Sequence, residues 1–174
     1  MGQLGDQDQA RRNFQRALDR QPAHLTAVQN MIKLLRYQNR PQEARAVLLK
    51  AIETDPRLAA LHNELGMFLV DEGDQEGALA EFKKAVDLEP SNPEMLNALG
   101  VAFMQKGDDE HAMQNFEKCV RLAPNFGLAV LNMATLYLAG GKADKAHDVL
   151  AEFLKRDPEN KEIREALKEV DSRR

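Results

Sequence analysis

Apolar side chains recur along this chain at intervals of three and four residues, the spacing that gathers a stripe on one face of an α-helix. Leu61, Leu65, Phe68 and Leu69 form one such stripe, and Leu79, Phe82 and Val86 form another after a short break. No segment shows the strict alternation of a half-buried strand. The pattern predicts helices over residues 8–20, 26–38, 42–54, 60–71, 75–88, 94–105, 109–122, 128–139, 143–156 and 160–170. The chain is therefore expected to be all-α.

The helices come in repeating pairs. Pro22, Pro56, Pro90, Pro124 and Pro158 stand 34 residues apart, and the same register aligns Ala10, Ala44, Ala78, Ala112 and Ala146. Gly5, Asn39, Gly73, Gly107 and Gly141 form a third column. Four residues after each alanine comes a large apolar residue: Phe14, Leu48, Phe82, Phe116 or Leu150. Small residues follow at Ala17, Ala51, Ala85 and Cys119, with Phe153 as the exception. A fixed period of this length is the mark of a stacked repeat.

Each column has a physical reason. The Gly or Asn column follows a helix, where the next residue must take a positive φ that glycine reaches cheaply and asparagine next best. Asp6, Asp74 and Asp108 come directly after and are placed to cap the following helix. In the second unit Arg40-Pro41 stands there instead, and proline suits a first helical turn. The repeated proline closes the second helix of each pair. Small residues let paired helices approach, and Phe or Leu fills the space between them.

These columns resemble the tetratricopeptide repeat. One unit carries Leu65-Gly66, Gly73, Ala78, Phe82, Ala85 and Pro90, and the next carries Leu99-Gly100, Phe103, Gly107, Ala112, Phe116 and Pro124. The resemblance spans essentially the whole chain. It implies a right-handed α-α superhelix, a solenoid of antiparallel helix pairs. On this register residues 1–24 hold the second helix of a partial first repeat. Full repeats follow at 25–58, 59–92, 93–126 and 127–160, and 161–174 is a capping helix, all within one solenoid domain.

The two ends differ. Around Lys161–Val170, Ile163, Ala166, Leu167 and Val170 share one face and can cover the preceding pair. Lys168 and Asp171 stand at the small and aromatic positions, where charge opposes the stacking of a further unit. At the other end Met1 falls in register near the close of a helix that the chain does not contain. Phe14 and Leu18 would then lack a partner, because a lone helix buries its stripe poorly. Two readings follow: a fragment of a longer array or larger protein, or a half-repeat completed by another chain. Exposed apolar surface, and self-association through the incomplete N-terminal repeat, are expected there.

The resemblance also implies that the first helix of each pair lines a concave groove. Its inward positions would be Thr26, Gln29, Lys33 and Arg36, then Ala60, Asn63, Met67 and Val70. Glu94, Asn97, Val101 and Met104 follow, then Leu128, Leu131, Thr135 and Leu138. Asn63 and Asn97 share one column, with Asn30 and Asn132 one residue later. Asparagine offers both a donor and an acceptor. Such a set resembles the asparagine ladder of the repeat domain in eukaryotic protein O-glycosyltransferases, which grips an extended backbone. The alternative is that these amides only solvate the helix face. Met67, Val70, Val101, Met104, Leu131 and Leu138 would form an apolar patch, the usual sign of a binding surface. They would be core residues if the register were shifted by one. Lys33, Arg36 and Arg40 would give one end of the groove a positive lip suited to an acidic segment. The carboxylate clamp of heat-shock-chaperone relatives is poorly matched, because Met67, Val101 and Thr135 stand where its polar groups belong.

Composition narrows the function. Net charge is −4 with a pI near 5.6, which disfavours the basic patch that nucleic-acid binding needs. No apolar run approaches the ~20 residues that span a bilayer, so membrane insertion is not expected. Cys119 is the single cysteine, placed in a small-residue column and read as a core thiol. His24, His62, His111 and His147 are scattered, no two in the i, i+4 pairing of a metal site. His62 falls at a packing position. Neither metal nor cofactor is expected, and no catalytic residue. The expected function is a scaffold binding a peptide or protein segment in the groove. The alternatives are a non-catalytic, substrate- or partner-recruiting domain of a larger enzyme, and a self-assembling scaffold.

Overall fold

The computed structural model describes residues 2–173, with side chains from residue 7 onward. The described residues form ten helices without a strand. They divide into two compact units, residues 1–88 and 89–174.

The first unit holds α1 (Gly2–Arg20), α2 (Leu25–Tyr37), α3 (Pro41–Thr54), α4 (Ala59–Glu72) and α5 (Gln75–Leu88). Successive helices pack on one another, α4 on α5 most extensively. The second unit holds α6 (Pro93–Gln105), α7 (Asp109–Leu122), α8 (Gly127–Ala139), α9 (Ala143–Leu154) and α10 (Lys161–Asp171). There α6 pairs with α7, α8 with α9, and α10 closes on α9 and α8.

The turns inside the pairs repeat one solution. Gly73, Gly107 and Gly141 have φ of 80°, 79° and 69°, and Asn39 has φ of 57°. At each turn the next amide reaches back across the helix end. Arg40 N–H donates to the Leu35 carbonyl at 2.8 Å, and Asp74 to Leu69 at 2.9 Å. Asp108 donates to Phe103 at 2.9 Å, and Lys142 to Tyr137 at 2.8 Å. This six-to-one bond satisfies carbonyls that the helix leaves orphaned. Asp74 and Asp108 then accept from Gly77 N–H at 2.9 Å and His111 N–H at 3.2 Å, as their position predicts. Pro41 opens α3.

The core is built from the columns. Ala44, Ala78, Ala112 and Ala146 are buried, as are Leu48, Phe82, Phe116 and Leu150 four residues on. Partner volumes are matched. A Cβ on Gly66 would lie 2.6 Å from Phe82 Cε1, and one on Gly100 would lie 2.5 Å from Phe116 Cε1. Where the large residue is leucine, the glycine column holds Ile32 or Ala134 instead. Phe153, the exception among the small residues, is also buried. A Cβ on Gly127 would lie 3.4 Å from its Cζ, an ordinary contact, so this ring does not demand the glycine.

The N-terminal end departs from expectation in two respects. Helix α1 runs through Gly5 and Asp6 instead of starting near residue 8. A turn is needed only to reverse the chain between packed helices; otherwise each further residue adds a backbone hydrogen bond at little cost. In addition, Leu18 is buried and Phe14 is half-buried, α1 being packed on α2. Gln9, Arg12, Asn13, Gln15, Arg16 and Asp19 face solvent. From residue 7 onward no large apolar side chain of α1 is exposed. At the other end Ile163 and Val170 are buried in the α8–α9 core, with Ala166 and Leu167 packed against it. Lys168 and Asp171 lie exposed.

Candidate partner-binding site

The expected groove residues sit on the leading helices α2, α4, α6 and α8, and none belongs to the buried core. Lys33, Arg36, Met67 and Thr135 are exposed. Gln29, Asn30, Asn63, Val70, Asn97, Val101, Met104, Leu131, Asn132 and Leu138 are half-buried.

In the first unit, polar residues of this face are spent on one another. Gln29 Nε2 donates to Glu64 Oε1 at 2.5 Å, and Arg36 forms an ion pair with Asp71. Arg40 pairs with Glu43 at 2.5 Å. The positive lip expected from Lys33, Arg36 and Arg40 is thus largely neutralised, because acidic residues of α3 and α4 lie within reach of both guanidinium groups. The Oδ1 of Asn63 is buried and lacks a hydrogen-bond partner among the described residues. Leaving such a group unmet is costly.

In the second unit Asn132 Nδ2 donates to Asn97 Oδ1 at 3.1 Å, tying α8 to α6. Asn97 Nδ2 and Asn132 Oδ1 are left to meet another group. Gln29–Glu64, Arg36–Asp71 and Asn97–Asn132 all span 35 residues, one more than the period. The one-residue offset between asparagine columns is therefore what this bond requires.

Val101 and Met104 accompany the amide pair on α6, and Leu131 and Leu138 on α8. Leu131 and Leu138 also pack against the core of Val130, Ala134, Leu150 and Phe153, so part of their surface serves stability. Leu128 and Met67 are 57% and 41% exposed, unusually open for large apolar residues. Thr135 Oγ1 donates to the Leu131 carbonyl at 2.9 Å, which commits its hydroxyl within its own helix.

His62, Glu81 and Cys119 are tied into the packing. His62 is buried, with Nδ1 2.7 Å from Glu81 Oε2 and Nε2 donating to the Pro56 carbonyl at 2.9 Å. Burial pushes the Glu81 carboxyl up, but hydrogen bonds from Lys84 and His62 outweigh it and hold the group below its usual value. Cys119 is fully buried and its Sγ–H donates to the Pro93 carbonyl at 3.2 Å. Burial raises this thiol to about 11, far from the thiolate a nucleophile needs. No cluster of three or more His, Cys, Asp or Glu able to hold a metal occurs among the described residues. None of their helices is long and apolar enough to cross a membrane.

Helix pairs that recur at one period, each closed by the same left-handed turn, define a helical-repeat protein. Family models described as TPR repeat and tetratricopeptide repeat match residues 68–107, 93–126 and 110–170. The chain belongs to the tetratricopeptide-repeat family, whose repeats serve as protein-interaction modules and are in general not catalytic. A tetratricopeptide repeat protein from Parabacteroides merdae is similar in structure, with a TM-score of 0.76 at 20% identity over 97% of this chain and 67% of that one. MamA gives 0.74 at 21% identity over 90% and 91% of the two chains. YrrB, described as a TPR protein with an unusual peptide-binding site, gives 0.69 at 21% over 90% and 81%. At these identities the likeness concerns the fold. No curated protein matches the chain by sequence.

Proposed function

We propose that the chain binds a peptide or protein segment along the groove-side faces of its leading helices, without catalysing a reaction. The observation that carries this reading is the Asn97–Asn132 pair beside Val101, Met104 and Leu131. One amide donor and one acceptor stand open there, next to apolar side chains that are half-accessible. An extended segment can offer its backbone carbonyl and N–H to the amides and its side chains to the apolar residues. The peptide-binding site in the description of YrrB gives the same use of this fold in a structural neighbour. The register of four full repeats over residues 25–160, with a partial repeat before and a capping helix after, is the frame on which these faces are placed.

The experiment is capture of partners by the immobilised chain, identified by mass spectrometry, followed by affinity measurement with the captured segment. Asn97→Ala and Val101→Glu are expected to weaken binding by about tenfold, the loss of one buried polar or apolar contact. Both variants should keep the helical circular dichroism of the parent. Unchanged affinity in both would sink the assignment. End-to-end self-assembly is less well supported, because α1 and α10 turn polar side chains outward.

A further inference from the structure

A second surface lies in unit two, away from the groove columns. A depression of about 370 Å³ runs between α7 and the C-terminal end of α8. Met113, Leu136 and Tyr137 supply its apolar lining, and Asp109, Glu110 and Glu117 rise along its α7 side. None of these carboxylates forms an ion pair among the described residues. Glu110 takes only a 3.4 Å hydrogen bond from Gln114. The helix dipole accounts for acids in the first turn of α7, but not for Glu117 two turns further on.

Stacking does not impose this set. The corresponding residues of α5 are Gln75, Glu76, Leu79 and Lys83, and those of α3 are Pro41, Gln42, Arg45 and Leu49. Only α7 joins acids at three of the four positions to a methionine at the other. Met113 and Tyr137 stay half-accessible. At the far rim Lys142 borders the depression, and Lys145 Nζ stands 5.8 Å from the Tyr137 ring centre. The site is therefore polarised, negative along α7 and positive at the α8–α9 turn.

We propose that this groove docks a basic segment of a protein partner. A long cationic side chain lays its aliphatic stem on Met113 and Tyr137 and sets its head against Glu117 and the first-turn acids. Lys142 and Lys145 repel a second cation and so fix the direction of the segment. This surface is independent of the groove reading above.

The test uses the full chain and a fluorescein-labelled short peptide of alternating arginine and leucine, with a glutamate-for-arginine peptide beside it. Fluorescence anisotropy at physiological ionic strength should show binding of the arginine peptide alone. Glu110→Gln with Glu117→Gln should weaken it by about tenfold, and Met113→Ser by about threefold. Glu162→Gln with Glu165→Gln, exposed acids of α10, should leave it unchanged, as should Val101→Glu. Matching melting temperatures will show that the variants are folded. No binding, binding untouched by the groove variants, or an equal loss in the α10 pair would overturn the proposal. So would a dimer on sizing that the groove variants abolish, since the occupant would then be a second copy.

Discussion

Gly66 and Gly100 are set by what they face. Each stands under an aromatic ring of its own helix pair, Phe82 or Phe116, and those rings are almost fully buried. An alanine would gain up to about 1 kcal/mol of helix propensity. It would also force the ring aside, and overpacking of this kind costs about 1–3 kcal/mol. Gly66→Ala and Gly100→Ala are therefore expected to lower stability in urea unfolding; a gain would mean that the rings shift at no cost. Cys119 allows a second prediction. Its folded thiol titrates near 11 against an ordinary 9.0, so the unfolded chain loses this proton first. Its contribution is complete below about pH 9 and is lost between 9 and 11. Cys119→Ala should flatten the fall in stability over that window relative to the parent. At pH 8 the parent thiol should react with a disulfide reagent only as fast as the chain opens, and immediate reaction in native buffer would contradict its burial.

Among the helices, α10 depends most on its own ends and one face. It has eleven residues, too few to persist alone in water. Asn160 Oδ1 accepts from the Ile163 N–H at 3.1 Å and so satisfies one orphan donor of the first turn. Ile163 and Val170 then fix the helix on the α8–α9 pair. Asn160→Ala should cost about 1 kcal/mol. Hydrogen exchange should rise in α10 before it rises in α8; equal change in both would show that α10 does not open separately. The left-handed turns were legible in the Gly and Asn column, because few residues accept a positive φ. The continuous run of α1 was not legible. Gly5-Asp6 matches the turn column, yet a turn forms only where packed neighbours reward it.

From residue 7 onward α1, like α10, turns polar side chains to solvent, and the chain carries a net charge of −4. Sedimentation over a wide concentration range should therefore show one monomeric species. A concentration-dependent dimer would instead support pairing through the N-terminal helix. Family membership sets the class of work, which is holding a protein partner, but not the partner. The same scaffold offers the leading-helix faces, where amides and half-open apolar groups meet, and a polarised groove behind α7.

Period, helix class and most of the core were written in the sequence, because each column answers a local demand: a positive φ, a closing proline, a small residue where backbones meet. Those demands are felt within one helix or its nearest neighbour. The pairing of groups one repeat apart was settled only by tertiary packing. Arg36 looked like open positive charge until Asp71 was brought beside it. Asn97 and Asn132 looked misaligned until the step between leading helices proved one residue longer than the period. The acidic groove of α7 likewise needs Leu136 and Tyr137 of the next helix to give it a floor. Distances between separate helices depend on how side-chain volumes interlock, and no local pattern along the chain encodes that.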